Sequence, residues 1–316
     1  MTSPCLICGS RDKRFKFIAV DRLHALPGSF RVMRCRKCGA LMLDPQPSMK
    51  DIGKYYPSEY HAYAHYDPGT KKEKFAISMY KLFFKPGGNP LKKLLFLPFK
   101  HLLRGTHIVP GGRILDVGCG SGAFLYKMQS AGMEAFGVEL SPDGAREAQR
   151  LGLKVKCGTL EQQKYPSNYF DVITLNHVFE HVPSPMRTLR ELKRILKPDG
   201  RIIIAVPNAR SLACKLFGRH WASLDAPRHL SIPTPRGMRI AAEQAGLNLK
   251  KVRFISFPFQ FQASLAYVFH PGARVPLDKT WLGESRLAYW LLFPLVYLVD
   301  FLRIGDVIET TMTKNS

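Results

Sequence analysis

A short apolar run that ends in a glycine-rich turn, RILDVGCGSG at residues 113–122, gives the first indication of the architecture. The turn leads into AFLYKMQSA, which has the composition of a helix. Glycines between a strand and a helix let the backbone approach a ligand closely at the carboxyl end of the strand. This pattern alone is compatible with any protein that binds a nucleotide in a βαβ unit.

Further strand-like runs follow the glycine turn at regular intervals. MEAFGVELSP ends near Glu139, about 20 residues past the first glycine, where an acid can bind both hydroxyls of a ribose. LKVKCGTLEQ, YFDVITLNHVFEHV and RIIIAVPN are three more, and a helix end and a KPDG turn precede the last. Strands that alternate with helices predict an α/β domain with a doubly wound, mostly parallel sheet. DVIETTMTK near the C-terminus is expected to add an antiparallel strand.

Two close cysteine pairs precede this region. CLIC supplies Cys5 and Cys8, and CRKC supplies Cys35 and Cys38. Two C-x2-C pairs can provide the four sulfur ligands of a tetrahedral zinc ion, and the intervening KRFKFIAV and FRVMR can pair as a hairpin. Four sulfurs leave no open position, so we predict a structural zinc ribbon over residues 1–48. The alternative is that these are ordinary buried cysteines.

The cysteine usage and the N-terminus predict a cytoplasmic location. The first ten residues are polar and contain two cysteines, which is unlike a cleavable signal. The chain has seven cysteines, an odd number, and paired metal-binding spacings are typical of a reducing compartment.

The charge is strongly positive and unevenly distributed. Lys and Arg number 47 against 24 Asp and Glu, a net charge of +23 that favours a polyanionic neighbour. Leucine and phenylalanine are mixed with cations in residues 81–105, KLFFKPGGNPLKKLLFLPFKHLLRG. Residues 287–303 are also largely apolar. The latter run is broken by Pro294 and is shorter than the ~20 residues that a spanning helix needs. We interpret both segments as a surface for anionic lipid headgroups, with core or lid helices as the alternative.

The quoted motifs resemble the class I S-adenosylmethionine-dependent methyltransferases. ILDVGCGSGAF, the acid of GVELSP, FDVITLNHVFEHV and LKPDGRIIIAVPN occur in the family's order over residues 111–209. The resemblance implies a seven-stranded, Rossmann-like methyltransferase domain over residues 106–316, with a hydrophobic helical insertion at about 259–303. The ribbon, together with YYPSEY after it, is similar to a subgroup found in polysaccharide and sugar biosynthesis. Residues 49–105 are then a tyrosine-rich and basic linker or lid.

The resemblance also implies a cofactor site for S-adenosylmethionine. It puts Asp116 and the glycine turn around the methionine part of the cofactor and Glu139 on the ribose. Thr159 stands where an acid is common, and it would flank the adenine. The full set of expected cofactor residues is Asp116, Gly118, Cys119, Gly120, Gly122, Glu139, Leu140, Thr159, Leu160, Asn176 and His177.

The loop HWASLDAPRHL, residues 220–230, is rich in groups that handle protons. Because it follows the fifth strand, it would lie over the carboxyl ends of the strands, where ligands bind. By resemblance to sugar methyltransferases, His229 is the expected general base, with His181 as the second candidate. Arg228 replaces a carboxylate of some relatives and is expected to bind a substrate phosphate, and Glu180 and His220 are expected to contact substrate. The alternatives are capping or packing roles, or a metal held by Glu180 and His181.

These observations predict an enzyme that methylates a hydroxyl of a sugar or lipid-linked glycan precursor, with a carbon acceptor as the less favoured alternative. Its expected partners are that substrate and the inner, anionic face of the membrane. The second hypothesis is a quinone or prenyl-lipid O-methyltransferase. The third hypothesis, from another functional class, is a zinc-ribbon nucleic-acid-binding protein. No nucleic acid is expected, because the positive charge accompanies leucine and phenylalanine and not a pattern of stacking aromatic residues.

Overall fold

The strands form a large sheet and a small one. The computed structural model describes residues 3–56, 65–97, 103–104, 107–270 and 285–315. The large sheet consists of β4 (Arg113–Val117), β5 (Glu134–Glu139), β6 (Lys154–Cys157), β7 (Phe170–Asn176), β8 (Leu196–Pro207), β10 (Leu247–Ile255) and β11 (Val307–Lys314). Their order is β10-β11-β8-β7-β4-β5-β6. The pairs from β8 to β6 are parallel, and β11 runs antiparallel to both β8 and β10. The predicted seven-stranded, mostly parallel sheet is therefore confirmed.

Helices connect the strands, and several of them begin at polar caps. They are α1 (Met49–Ile52), α2 (Lys71–Phe84), α3 (Pro90–Leu95), α4 (Ala123–Ser130), α5 (Pro142–Arg150), α6 (Pro185–Ile195), α7 (Leu212–Phe217), α8 (Pro235–Gln244), α9 (Pro258–Phe269), α10 (Arg286–Leu291) and α11 (Phe293–Phe301). The hydroxyl of Ser141 accepts from the backbone of Gly144 at the start of α5, and that of Thr234 does the same for Gly237 in α8. Both helices have proline in their first turn, where its missing N–H costs no hydrogen bond.

One local prediction on β8 needs correction. The KPDG segment, residues 197–200, was expected to be a turn between a helix and the fifth strand. Strand β8 instead begins at Leu196, which pairs with Phe170, and the next pair is Arg201 with Val172. Four residues are thus accommodated as an irregularity within the strand. An ion pair of 2.8 Å between Lys197 and Asp171 holds this segment to β7.

The small sheet contains the ribbon hairpin and one strand from far along the chain. Strands β1 (Lys13–Ala19) and β2 (Phe30–Cys35) pair antiparallel, as the sequence predicts. Strand β3 (Leu41–Leu43) extends the sheet, and β9 (Ser231–Ile232) completes it. Because β9 directly follows the histidine-containing loop, that loop is tied to the ribbon by backbone hydrogen bonds.

The ribbon shares a hydrophobic core with the large sheet. Cys5, Cys35 and Ile7 are buried in the same cluster as Leu175 of β7 and Met238 of α8. Burial of apolar side chains stabilises such an interface by ~25 cal/mol per Å². The ribbon is therefore packed as part of the main body.

Helices α9, α10 and α11 lie between the edge strands β10 and β11 in the chain. Phe261 of α9 and Val296 and Val299 of α11 are buried against Trp221 and Leu224 of the loop that follows β8. Within the described ranges, no helix is both long and apolar enough to cross a bilayer. The predicted tyrosine-rich and basic linker or lid is only partly described. Most of its tyrosine-rich part (residues 57–64) and part of its basic segment (residues 98–102 and 105) lie outside the described residues, as does residue 106.

Candidate active site

The glycine turn between β4 and α4 has a conformation that only glycine adopts without strain. Gly118, Gly120 and Gly122 have φ values of 70°, 54° and 82°. A Cβ atom at Gly118 would overlap with the side chain of Val178, and one at Gly122 would lie 2.6 Å from Leu153. The turn therefore packs closely against Val178, in the segment that follows β7, and against Leu153.

Glu139 ends β5 beside this turn. Its side chain accepts hydrogen bonds of 2.8 Å from the backbone N–H groups of Gly120 and Ser141. Burial raises the pKa of Glu139, while the hydrogen bonds from Ser141 and Gly120 oppose that rise. Each carboxylate oxygen keeps a further lone pair, so Glu139 can accept from the two hydroxyls of a ribose.

Asp116 is buried within the same site and has a partner that the sequence analysis missed. It accepts a 2.6 Å hydrogen bond from Thr174, and Arg104 forms a two-pronged ion pair with it. The Arg104 guanidinium also lies over the ring of Phe124, 3.9 Å from its centroid. Burial raises the pKa of Asp116, and the charge of Arg104 opposes this. Its position in the sequence could have indicated this contact, because Arg104 is the last cation of the basic run before β4, the strand that carries Asp116.

The remaining predicted cofactor residues lie around the ends of β4, β5, β6 and β7. Leu140 is exposed, and the thiol of Cys157 lies 3.7 Å from its carbonyl oxygen. Thr159 begins a 3-10 turn in which Gln162 caps its backbone N–H at 2.8 Å. Cys119 and Leu160 are buried, Asn176 is half-buried, and His177 is exposed with a φ of 54°. The exposed leucine and this turn can flank a flat apolar ring.

Two histidines and a glutamate meet at the rim above β7. The rings of His181 and His229 lie 4.6 Å apart and are nearly perpendicular. The Nδ1 atom of His181 is 2.9 Å from the carbonyl of Arg228 and 2.8 Å from the hydroxyl of Tyr56. Burial, reinforced by the neighbouring His229, lowers the pKa of His181 to about 4. His181 is therefore neutral near pH 7.

His229 is oriented so that one ring nitrogen is available. Its Nδ1 lies 2.9 Å from the carbonyl oxygen of Ser223, and because a carbonyl only accepts, Nδ1 carries the hydrogen. In the neutral form of the ring, the lone pair is therefore on Nε2, which lies 3.8 Å from Glu180 and 3.9 Å from Asp225. Such a nitrogen can take a proton, and the two carboxylates would stabilise the resulting cation.

Glu180 is the most deeply placed member of this group. Its side chain is fully buried, and Oε1 lies 3.3 Å from Nδ1 of His177. Oε2 has no hydrogen-bond partner in the described part of the chain. Ligand atoms of Glu180, His181 and His229 all lie within 4.8 Å of one another. The same cluster that can move a proton could therefore also hold a divalent cation, as the sequence left open.

Arg228 does not have the position that the sequence predicted. Its guanidinium is fully buried, with Nη2 2.7 Å from Asp21 and 2.5 Å from Asp225, and it also donates to the carbonyl of Tyr55 at 3.1 Å. With every nitrogen of the fork bonded inside the protein, the assignment to a substrate phosphate is wrong. The network instead joins the ribbon, the Tyr55 segment and the His229 loop.

His220 lies apart from the histidine pair. Burial, together with the nearby Arg22 and Arg219, lowers its pKa. In the described part of the chain, the buried Nε2 of His220 has no hydrogen-bond partner, and its neighbour Trp221 donates a 2.7 Å hydrogen bond to the buried Asp306. The structure thus groups Glu180, His181 and His229 but leaves His220 outside this cluster.

The four ribbon cysteines converge as the spacing predicts. The sulfurs of Cys5 and Cys38 are 3.6 Å apart, as are those of Cys8 and Cys35, and all four are buried. Zn–S bonds of about 2.3 Å in a tetrahedron place sulfurs roughly 3.8 Å from one another. The observed spacing is therefore compatible with a single zinc ion held by four thiolates.

Comparisons with known proteins agree with this geometry. A family profile described as a methyltransferase domain matches residues 91–252. The chain is 26% identical over 181 residues to the ubiquinone biosynthesis O-methyltransferase of Aeromonas salmonicida, covering 53% of this chain and 74% of that protein. It is 30% identical over 126 residues to the Coxiella burnetii protein of the same name, covering 38% of this chain and only 51% of that relative.

The solved structures to which the chain is similar include one archaeal and one bacterial protein. An S-adenosylmethionine-dependent methyltransferase from Archaeoglobus fulgidus is 20% identical, with a TM-score of 0.44, and covers 77% of this chain and 97% of its own. One from Mesorhizobium loti is 16% identical, with a TM-score of 0.46, and covers 69% and 96%.

Proposed function

The chain belongs to the methyltransferase-domain family and is an S-adenosylmethionine-dependent methyltransferase; we propose that its acceptor is a hydroxyl group of a sugar or of a lipid-linked glycan precursor. A carbon acceptor is the less favoured form of the same proposal. The observation that carries it is the His229–His181–Glu180 cluster at the carboxyl ends of the parallel strands, where this type of sheet binds ligands. Hydroxyl acceptors need a base, and a neutral imidazole with a free Nε2 can serve as one.

The cofactor residues are proposed from the site geometry and the resemblance together. Glu139 would hold the ribose hydroxyls, and the backbone of Gly118 and Gly120 would approach the methionine part. Arg104 would supply a positive charge for the cofactor's carboxylate, beside Asp116. The bound sulfonium supplies an activated methyl group, and everything else in the reaction is alignment and proton removal.

In the proposed reaction, His229 acts at the acceptor. The cofactor, held by Glu139 and the glycine turn, would supply the methyl group to the acceptor oxygen and would keep the electron pair of its broken carbon–sulfur bond. The acceptor proton passes to Nε2 of His229, while Nδ1–H remains bonded to the Ser223 carbonyl. Asp225 and Glu180 then face an imidazolium, which their charges stabilise. His181, held by Arg228 and Tyr56, forms the opposite wall of the site.

Zinc is proposed as a structural ion of the ribbon. Four buried sulfurs leave no position for a water or substrate, so the metal would not take part in methyl transfer. Its proposed role is to fix the hairpin that carries Asp21 and the sheet that includes β9.

A quinone or prenyl-lipid O-methyltransferase is the second candidate. Two specific observations favour it: the 26–30% identity to ubiquinone biosynthesis O-methyltransferases, and the Glu180, His181 and His229 cluster that could hold a divalent cation. Such a cation could bind the adjacent oxygens of a dihydroxylated ring. Both candidates place the acceptor at the same rim of the sheet.

A cofactor-consumption assay distinguishes the two candidates. Purified protein is incubated with S-adenosylmethionine and, in separate reactions, nucleotide sugars, lipid-linked glycans and dihydroxylated prenyl-ring compounds, with release of S-adenosylhomocysteine as the readout. The proposal predicts turnover with a glycan acceptor and no requirement for added Mg²⁺. Turnover only with the ring compounds, and only with a divalent cation, would replace it with the second candidate.

A further inference from the structure

The helical hairpin before the methyltransferase sheet exposes leucines that ordinary folding would bury. Leu91, Leu94 and Leu95 of α3 are 76%, 69% and 71% exposed, and Leu97, just beyond the helix, is 53% exposed. Phe75 of α2 is half exposed beside them, with its ring 6.1 Å from that of Phe96. Soluble proteins rarely leave contiguous apolar patches of this kind uncovered unless they bind something. We call these residues, together with Lys92 and Lys93, the α3 surface.

The other side of the hairpin is firmly attached to the enzyme. Met79 and Tyr80 of α2 are buried, and the ring of Tyr80 packs 5.9 Å from that of Phe124 in α4. Glu73 forms a 2.7 Å ion pair with Lys127 of α4. Because the inner side of α2 is fixed by these contacts, the outward direction of the α3 surface is part of the folded structure.

Cations surround the exposed leucines. Seven lysines lie in residues 71–97, and the single acid in that stretch, Glu73, is already paired with Lys127. Lys92 lies between the leucines of α3 and is itself exposed, and Lys93 is half-buried beside it. The α3 surface is therefore both apolar and uncompensated in charge.

A second apolar surface is provided by the helices before β11. Trp290, Leu291 and Phe301 of α10 and α11 are 66%, 70% and 83% exposed. Trp290 stacks on Phe293 at 5.2 Å, which fixes its orientation. Exposed tryptophan and leucine side chains are typical of surfaces that bind at a membrane interface.

We infer that the α3 surface binds an anionic phospholipid bilayer, with the leucines entering the headgroup boundary and the lysines contacting the phosphates. The mixture of residue types favours a lipid surface over single-stranded nucleic acid. Leucines interleaved with lysines complement anionic lipid, whereas single-stranded nucleic acid requires aromatic side chains for stacking. The inference goes beyond the proposed reaction and does not depend on the acceptor's identity.

Vesicle flotation tests this inference with the full-length protein. We expect binding to vesicles of phosphatidylcholine mixed with phosphatidylglycerol and much weaker binding to phosphatidylcholine alone. We expect at least about tenfold weaker binding for Lys92→Glu/Lys93→Glu, since each surface lysine contributes ~1 kcal/mol. We expect a loss of the same size for Leu91→Ser/Leu94→Ser/Leu95→Ser, because this variant removes the apolar side chains that enter the headgroup boundary. Because all these side chains except that of Lys93 are largely exposed, the variants should melt and bind cofactor like the wild type.

A matched control separates this site from general positive charge. Lys250→Glu/Lys251→Glu reverses the charge of two adjacent exposed lysines on β10. This variant should bind vesicles within about twofold of the wild type. Equal loss in both lysine pairs, equal binding to neutral and anionic vesicles, or no binding by the wild type would overturn the inference. So would selective loss of RNA binding in the Lys92→Glu/Lys93→Glu variant with vesicle binding unaffected.

Discussion

Removal of Asp21 should destabilise the protein far more than its position in a surface hairpin suggests. Asp21 is fully buried, accepts from Arg228 at 2.7 and 3.3 Å, and accepts from the backbone of Leu23 and His24 at 3.1 and 3.2 Å. Asp21→Ala therefore leaves a buried guanidinium partly unpaired. Breaking a buried pair in this way costs about 3–5 kcal/mol. For 316 residues, that corresponds to a fall in melting temperature of about 5–8 °C.

The same ribbon offers a matched control. Asp12 pairs with Arg36 at 3.6 Å, and both side chains are more than half exposed. Asp12→Ala should cost no more than about 1 kcal/mol, because exposed pairs are screened by water. Differential scanning calorimetry of the two variants measures the difference. A melting temperature for Asp21→Ala within a degree or so of that for Asp12→Ala would refute the reasoning.

Asp21→Ala should also reduce turnover, because Arg228 carries the carbonyl that holds His181 and directly precedes His229. The affinity for S-adenosylmethionine should remain near the wild-type value, since Glu139 and the glycine turn lie on other elements. Measured in the cold, below the melting transition of both variants, kcat should fall without a matching change in cofactor Kd. Equal losses in kcat and cofactor affinity would indicate general unfolding and not a positioning defect.

Three further predictions follow from the site. Glu139→Ala should weaken S-adenosylmethionine binding about 10- to 100-fold by calorimetry, since it removes hydrogen bonds to a charged acceptor; unchanged affinity would contradict the ribose assignment. Elemental analysis should find about one zinc per chain, and Cys35→Ser should lose it and melt at lower temperature; zinc-free wild type would remove the ribbon proposal. The free energy of unfolding should fall as the pH drops from 6.5 towards 4, because His181 binds a proton near pH 6.5 in the unfolded chain but only near pH 4 in the folded protein. His181→Gln should make this fall smaller, and an unchanged dependence on pH would contradict the burial argument.

Local patterns predicted the sheet and the metal cluster because the deciding interactions are close in sequence. The glycines of 118–122 need positive φ where they stand, and each C-x2-C pair forms its own half of the site. The doubly wound, mostly parallel sheet followed from the alternation of strands and helices, which admits few topologies.

The role of Arg228 could not be predicted in the same way. Its partner Asp21 is 207 residues away, and nothing in either local sequence signals the contact. A histidine-rich loop with an arginine has the same composition whether the arginine faces solvent or is buried. Only the addition of β9 to the ribbon sheet brings the loop over the hairpin and decides between the two. Arg104 was missed for a different reason: it stood at the end of a basic run that was interpreted as a surface.

The most direct test of the account is the turnover of His229→Ala with an accepted substrate. Removing a positioned base typically lowers kcat by ~10²–10⁴, and the affinity for S-adenosylmethionine and the melting temperature should change little. His220→Ala is the control, because that histidine is in the same loop but outside the cluster, and it should retain most of its activity. Full activity in His229→Ala would contradict the account, and if His181→Ala were then inactive, the base would be the histidine that follows β7.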